Sequence, residues 1–209
     1  MRMHYEALDK KRLALLPVLN VFKHEFYLAG GTALALQIGH RVSIDFDFFT
    51  EKDFEIEKLY EQVQKRFGQV PRTQESHNTL AVVVQDDVRM SFMGYRYPLL
   101  ETCVDTEHVR LASILDIGCM KLGAIVSRAE LKDYVDLFFI LKRLPLTELL
   151  AALSKKLPSL DQNLVLKALV SFDDVTLEPI DFIQGNEVTP DEIRESIIKN
   201  VKSLPLGIH

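Results

Sequence analysis

One stretch of the chain, residues 26–49 (FYLAGGTALALQIGHRVSIDFDFF), constrains the fold more than any other. It opens with residues 26–29, a short apolar run of the length typical of a buried strand. Gly30 and Gly31 follow, and glycine permits a sharp turn and the close approach of a ligand. Good helix formers come next, so we predict a short helix capped by Thr32. Free N–H groups and the positive end of the dipole at such a helix start favour a bound phosphate.

The end of this stretch, residues 44–49, alternates between apolar and acidic side chains. The alternation predicts a strand with Ile44, Phe46 and Phe48 on one face. The other face then carries Asp45 and Asp47, roughly 7 Å apart, where two carboxylates repel each other. A hard cation with oxygen ligands removes that repulsion, and Mg²⁺ is commonly bound this way together with substrate phosphates. A phosphate site followed by paired aspartates predicts nucleotide chemistry.

The order of these motifs resembles the nucleotidyltransferase superfamily of DNA polymerase β, and in particular its AbiEii/AbiGii branch of abortive-infection, type IV toxins. The resemblance rests on Gly-Gly-Thr at 30–32 and on the pattern Arg-x-Ser-x-Asp-x-Asp at 41–47. It continues in Lys121, Arg128 and the KDYVDL sequence of 132–137. Together these motifs span roughly residues 20 to 142 in the order of the family.

The resemblance implies a fold, a metal and a set of site residues. The implied fold class is α+β, with a nucleotidyltransferase-like core (a small mixed sheet with flanking helices) and a C-terminal helical portion. The implied metal is Mg²⁺ or Mn²⁺, held by Asp45 and Asp47, with a nucleoside triphosphate (NTP) as substrate. The catalytic residues implied are Asp45, Asp47, Lys121, Asp133 and Asp136. The nucleotide-binding residues implied are Gly30, Gly31, Thr32, Arg41, Ser43, Lys121, Arg128 and Lys132.

The charged residues of the later helices also have simpler interpretations. Lys121 and Arg128 are seven residues apart, so a helix places them on one face. A lysine on a helix is usually just solvated, whereas the resemblance implies that Lys121 contacts the triphosphate. Asp133 lies near a helix start, where an acid is favoured in any case. Lys132 and Asp136 have the spacing of a surface ion pair worth a few tenths of a kcal/mol.

The polymerase β superfamily usually places a third catalytic carboxylate on the strand after the paired aspartates. Residues 79–85 and 88–94 alternate and predict a hairpin at this point of the chain. The face that corresponds to the acid offers Arg89, Ser91 and Met93, with Ser91 at the expected position. The sequence departs from the superfamily here, which calls a two-metal mechanism into question.

The remaining segments predict helices and turns rather than chemistry. We predict one nucleotidyltransferase domain over residues 1–209, with an α/β core at about 20–112 and a helical portion at about 113–205. Apolar spacing and cap residues predict helices over 4–24 (divided by Pro17), from Thr50 or Asp53 to Phe67, from Ser113 onward, and over 133–143, 146–156, 161–170 and 190–202.

The charge of the chain excludes a generally basic nucleic-acid binder. The net charge is −5, and residues 171–209 account for all of it with eight acidic and three basic side chains. An RNA partner would need a local patch, for which Lys10, Lys11, Arg12 and Lys23 are one candidate, although an ordinary solvated helix face is the simpler interpretation. No apolar run is long enough to cross a membrane, and no apolar signal core is present, so we expect a cytoplasmic protein.

Two functions remain open at this point. The first is a metal-dependent nucleotidyltransferase that moves a nucleoside monophosphate from an NTP to an acceptor hydroxyl. The resemblance implies that the acceptor is a tRNA end or another RNA in some members, and that a type IV toxin has a cognate antitoxin. The second is a catalytically degenerate binding module that keeps the fold without turnover.

Overall fold

A computed structural model describes the chain over residues 2–85, 87–172 and 175–205. The chain forms two compact units. Unit 1 comprises the chain up to Pro98 together with Thr102–Ala112, and unit 2 comprises Leu99–Glu101 together with the chain from Ser113 onward. The backbone therefore passes between the units three times, because the segment Leu99–Glu101 belongs to unit 2 while both of its neighbours belong to unit 1.

Unit 1 is built on a seven-stranded mixed sheet. The strands are β1 (Tyr27–Ala29), β2 (Phe46–Thr50), β3 (Arg72–Ser76), β4 (Thr79–Val84), β5 (Val88–Gly94), β6 (Val104–Asp105) and β7 (Arg110–Leu111). Their spatial order is β3-β4-β5-β2-β1-β7-β6. The pairs β2–β5 and β1–β7 are parallel and the other pairs are antiparallel. The predicted α+β class with a mixed sheet is confirmed.

Three helices belong to unit 1: α1 (Lys10–Leu19), α2 (Gly30–Ile38) and α3 (Ile56–Phe67). Pro17 lies inside α1, and the segment predicted as one divided helix is completed by 3-10 turns at Tyr5–Ala7 and Asn20–Phe22. Helix α3 is followed by Gly68, whose φ of +75° glycine adopts without strain. The predicted end of this helix at Phe67 is therefore confirmed.

The central strands of unit 1 have one buried face and one partly open face. The buried side chains alternate along β4 and β5 and over the first three residues of β2, as a sheet with one covered face requires. Phe48 and Phe92 stack with ring centroids 5.0 Å apart. The members of this layer are no more than 1% exposed, namely Phe46, Phe48, Leu80, Val82, Met90 and Phe92. The intervening side chains of β4 and β5, together with Asp47 of β2, form the open face, whereas Phe49 on the same side of β2 is buried.

Two details of the predicted strands are wrong or incomplete. Strand β2 begins at Phe46, and Ile44 is 53% exposed instead of lying in the buried layer. The reason is that the backbone there bonds to helices, since Arg12 Nε donates to the Ile44 carbonyl and Thr32 donates to the Asp45 carbonyl. The predicted hairpin is confirmed as β4 and β5, whereas the polar edge strand β3 had no alternating pattern to reveal it.

Unit 2 is helical over its described elements. Its helices are α4 (Ile114–Arg128), α5 (Leu131–Leu141), α6 (Leu146–Lys156), α7 (Gln162–Val170) and α8 (Pro190–Lys202). These agree closely with the predicted helices. Helix α8 has a complete capping box between Thr189 and Glu192, and Gly118 lets α4 pack closely on Leu149 of α6. No helix in the part of the chain that the structure describes is long and apolar enough to span a bilayer.

A buried ion pair that the sequence did not reveal organises one end of α4. Lys156 Nζ lies 2.7 Å from Asp116 Oδ1, and both side chains are fully buried. The Asp116 carboxylate also accepts hydrogen bonds from the backbone N–H groups of Leu100 (2.9 Å) and Glu101 (3.2 Å) and from the hydroxyl of Ser113 (2.8 Å). Asp116 therefore fixes the segment Leu99–Glu101 within unit 2.

Candidate active site

The two glycines at the start of α2 allow a close approach between the helix and its surroundings. Gly30 has a φ of +69°, and a Cβ added there would lie 3.0 Å from Asp47 Oδ2. A Cβ on Gly31 would collide with the guanidinium of Arg41 and would lie 3.2 Å from Ser43 Oγ. Any larger residue at these positions would therefore displace Asp47 or Arg41. The helix start, one carboxylate and one guanidinium meet here because both residues lack a side chain.

Thr32 does not cap the helix as predicted. The N-cap position of α2 is Ala29, and Thr32 is already in the first turn. Its hydroxyl hydrogen-bonds to Ser43 Oγ at 2.8 Å and to the carbonyl oxygen of Asp45. Thr32 therefore connects the helix start to the loop before β2. Its hydroxyl bonds to this loop instead of capping the helix.

The loop before β2 is held from several sides. The backbone N–H of Ser43 donates to the carbonyl of Ala7 at 3.1 Å, and Arg41 Nη1 donates to the Val42 carbonyl at 3.0 Å. Arg12, only 5% exposed, pairs with Asp9 and donates through Nε to the carbonyl of Ile44. These bonds fix the backbone that leads into the two aspartates.

This role of Arg12 changes the interpretation of the basic N-terminal cluster. Arg12 is buried, Lys11 lies 2.5 Å from Asp87, and Lys23 lies 2.9 Å from Asp105. Each of these three side chains therefore has a partner within unit 1. The structure therefore favours structural roles for these three residues over the RNA patch considered above.

Asp45 lies immediately before β2, Asp47 is the second residue of β2, and both are partly exposed. On the neighbouring parallel strand, Ser91 is the register partner of Asp47. Side chains of registered residues on adjacent strands share a face, so the neutral hydroxyl stands beside the carboxylate. Within residues 2–85, 87–172 and 175–205, no group of three or more His, Cys, Asp and Glu side chains is arranged to hold a metal. The available donors are hard oxygen atoms, the kind that Mg²⁺ and Mn²⁺ prefer over soft ligands.

The predicted site residues of unit 2 form a buried ionic cluster on α4 and α5. Lys121 Nζ lies 2.8 Å from Asp133 Oδ1 and 2.5 Å from Asp136 Oδ2, and both carboxylates are fully buried. Arg128 Nε donates to Asp133 Oδ2 at 2.8 Å. Burial raises the pKa of Asp133, but the charge of Lys121 and the hydrogen bonds from Arg128 and Lys121 outweigh it and hold that pKa below its usual range.

The simpler interpretations of this cluster are wrong. Lys132 pairs with Glu130 at 3.0 Å and Glu178 at 3.7 Å, so it forms no surface pair with the buried Asp136. The Asp133 side chain binds cations of α4 and α5 begins without a side-chain cap. Lys121 is not a solvated lysine, because it is 4% exposed. The predicted shared face of Lys121 and Arg128 is correct, since both bind the same carboxylate.

The structure thus gathers the predicted residues into two sets. Within unit 1 it brings together Gly30, Gly31, Thr32, Arg41, Ser43, Asp45 and Asp47. Within unit 2 it brings together Lys121, Arg128, Asp133 and Asp136, with Lys132 on the same helix α5. Arg12 of unit 1 and the Asp116–Lys156 pair of unit 2 were missed, because their partners are distant in sequence.

The chain matches the family described as Nucleotidyl transferase AbiEii toxin, Type IV TA system, over residues 14–196. This match includes both sets of site residues. The chain belongs to the AbiEii nucleotidyl transferase toxin family. The predicted family is confirmed, and the protein is a nucleotidyltransferase.

The chain is also similar to other proteins. An uncharacterized protein of Aquifex aeolicus is 37% identical over 203 residues, which cover 94% of this chain and 93% of that protein. MenT4, a nucleotidyltransferase toxin of Mycobacterium tuberculosis, has a similar solved structure with a TM-score of 0.63, 17% identity and coverage of 98% of this chain and 89% of MenT4. A Helicobacter pylori structure has a TM-score of 0.60, 19% identity and coverage of 92% and 91%. At these identities the solved structures support the fold.

Proposed function

We propose that this AbiEii member transfers a nucleoside monophosphate from a metal-bound NTP to a hydroxyl of an RNA acceptor, with a tRNA end as the first candidate. The observation that carries the proposal is the meeting of the Gly30–Gly31 helix start with Asp47 and Arg41. The acceptor oxygen forms a bond to the α-phosphorus while the bond from that phosphorus to the pyrophosphate oxygen breaks. The hydroxyl proton is lost to solvent.

In this proposal, the start of α2 and the neighbouring Arg41 bind the phosphates of the NTP. The N-terminal amides of α2 and the positive end of its dipole favour an anion, and the missing side chains of Gly30 and Gly31 let a phosphate come close. Arg41 lies over Gly31 and supplies a fixed positive charge. Thr32 and Ser43 hold this loop through their mutual hydrogen bond. Such fixed charges lower the barrier because they need no reorganisation during transfer.

Asp45 and Asp47 would hold a Mg²⁺ or Mn²⁺ ion. Such an ion neutralises charge on the phosphates and orients them for in-line attack. Partial exposure of the two carboxylates fits this role, because an ion with its water and phosphate ligands can reach them from solvent. Ser91 supplies a neutral oxygen where a third carboxylate is expected, so the proposal needs only one strongly held ion.

A second group of charged residues, on α4 and α5, lies within the stretch that matches the family. We propose that Lys121, with Arg128 and Lys132, offsets negative charge of the triphosphate, and that Asp133 and Asp136 set the position of Lys121. The short contacts from Lys121 to both acids support the positioning role. A cognate antitoxin belongs to the same proposal, because the family is one of type IV toxin–antitoxin systems.

A labelling experiment tests the reaction. Purified protein incubated with pooled tRNA, Mg²⁺ and each labelled NTP in turn should transfer label to RNA, and Asp47→Ala should lower the rate by at least about 100-fold. Asp47→Ala should leave folding intact, as checked by circular dichroism. Label without metal dependence, or label retained in Asp47→Ala, contradicts the assigned metal site.

Thermal unfolding supplies an independent measure of the nucleotide. An NTP with Mg²⁺ at about 100 times its Kd should stabilise the protein by about 2.7 kcal/mol, or roughly 5 to 11 °C in Tm. The shift should need both metal and triphosphate. The four NTPs compared at equal concentration report the preferred base, and no shift with any of them at millimolar concentration would reject the proposal.

A further inference from the structure

The open face of the sheet continues from Asp47 across two more strands. Ser91 on β5 is the register partner of Asp47, and Ala81 on β4 is the register partner of Ser91. Side chains in one such row point to the same side of the sheet. All three are only partly buried, in contrast to the fully buried layer on the opposite face. A surface of small side chains therefore begins beside the catalytic aspartates.

Arg89 stands at one end of this surface. It lies two residues before Ser91 on β5, so its side chain leaves the same face of the sheet roughly 7 Å along the strand. Its register partner on β4 is Val83, which is partly buried, whereas Arg89 itself is exposed. An exposed guanidinium thus lies beside an apolar strip and close to the start of β2.

Three other arginines of unit 1 have partners inside the protein. Arg12 binds Asp9 and a carbonyl, Arg72 binds Glu57 and Glu75, and Arg96 binds Asp53. These contacts explain why those cations stand where they do. Among the residues that the structure describes, Arg89 has no such ion pair.

The part of this face that β4 and β5 form carries no negative charge. The face positions of β4 and β5 are one cation and five uncharged side chains, namely Arg89, Ser91, Met93, Thr79, Ala81 and Val83. A carboxylate at position 91 would repel an approaching phosphodiester, and the chain has serine there. A ligand whose hydroxyl reaches Asp47 can therefore extend over Ser91 and place its nearest phosphate at the guanidinium.

We propose that Arg89 binds the phosphate nearest the acceptor end of the RNA, and that the strip formed by Ala81 and Val83 supports the terminal nucleotide. This inference rests on the proposed function and adds the position of the acceptor. A guanidinium recognises phosphate through paired N–H donors, so the contact orients the acceptor as well as attracting it. Arg89 is accordingly an acceptor-binding residue with no part in holding the NTP.

The test compares three variants of the full chain. Arg89→Gln removes the charge, Arg89→Lys keeps it, and Lys65→Gln removes an exposed cation from α3 as the matched control. Binding of pooled tRNA is measured against NaCl concentration, and NTP binding by thermal shift. Arg89→Gln should raise the KM for RNA about tenfold. It should also reduce the steepness of log K against log[NaCl] (the salt slope) by about 0.7, the value for one phosphate contact on a single strand.

The outcomes separate this inference from the reaction it rests on. Arg89→Lys should keep the salt slope, Lys65→Gln should resemble the wild type, and all three should bind the NTP normally. If the wild type labels RNA and Arg89→Gln behaves like it, the acceptor position is wrong and the reaction stands. Weakened NTP binding in Arg89→Gln would also overturn the inference, because it would place Arg89 at the triphosphate. If the wild type neither binds nor labels RNA, the proposed function itself fails.

Discussion

The aspartate pair Asp45 and Asp47 and the pair Asp133 and Asp136 differ in environment. Asp45 lies immediately before β2, Asp47 is the second residue of β2, and both are partly exposed. Asp133 and Asp136 lie one turn apart on α5, are fully buried and share the ammonium of Lys121. The sequence patterns are similar, but only the first pair is open to an ion from solvent.

The difference follows from the cost of burying charge. A buried carboxylate must be compensated by a fixed cation, because water cannot solvate it and the uncompensated charge destabilises the fold. A partly exposed carboxylate keeps its water and can exchange it for a metal ion. The α5 pair is therefore an ionic element of the folded state, while the β2 pair is suited to a ligand that arrives and leaves.

Removing the cation from the buried cluster should have the largest effect on stability. Lys121→Met leaves Asp133 and Asp136 without their shared partner, which should cost about 3 to 5 kcal/mol, or roughly 6 to 20 °C in Tm. Lys132→Met is the matched control on α5, because that lysine is partly exposed and its pairs should contribute at most about 1 kcal/mol. Urea unfolding measures the unfolding free energy of both variants.

Equal losses for the two variants would mean that the buried cluster contributes no more than a surface pair. The same variants also test the phosphate role of Lys121. At a temperature where both are folded, Lys121→Met should weaken NTP binding far more than nucleoside binding, since only phosphate charge is lost. A parallel loss for both ligands would assign Lys121 to the fold alone.

A smaller effect is expected on acidification. Because the pKa of Asp133 is lowered in the folded state, its contribution to stability is complete above the pKa of an unfolded aspartate, near 4, and is lost as the pH falls through the folded value. The difference in unfolding free energy between wild type and Asp133→Asn should therefore shrink as the pH falls from 6 toward 3. A difference that stays constant over this range would show that Asp133 does not titrate with folding.

The smallest effect is expected at the partly exposed pair, Asp45 and Asp47. Ser91→Asp places a carboxylate beside Asp47 and should tighten Mn²⁺ binding several-fold, at a cost of about 0.2 to 1 kcal/mol in metal-free stability from like-charge repulsion. Ala81→Asp adds the same charge one strand further away and should leave Mn²⁺ affinity nearly unchanged. Calorimetric titration measures the Mn²⁺ affinity of the two variants. Equal affinities would place position 91 outside the metal site.

The sequence predicted what depends on local pattern. The alternation around Asp47, the glycines before α2 and the helices of unit 2 follow from spacing and cap residues within a few positions. It could not predict the partners of buried charges, because Lys156 meets Asp116 across 40 residues and Arg12 meets the carbonyl of Ile44 across 32. Ile44 was misplaced for the same reason, since a distant arginine fixes its backbone.

The segment held by Asp116 bears on how the protein can be divided. A fragment beginning at Ser113 would contain Asp116 and Lys156 but would lack the two backbone amides that Leu100 and Glu101 donate. A fragment ending at Ala112 would carry those amides without their acceptor. Each fragment alone would therefore lack one side of these two hydrogen bonds. Two co-expressed fragments would contain both sides and could form the bonds again. The three residues of this segment would make the chain a candidate for a split reporter, in which reassembly restores transfer.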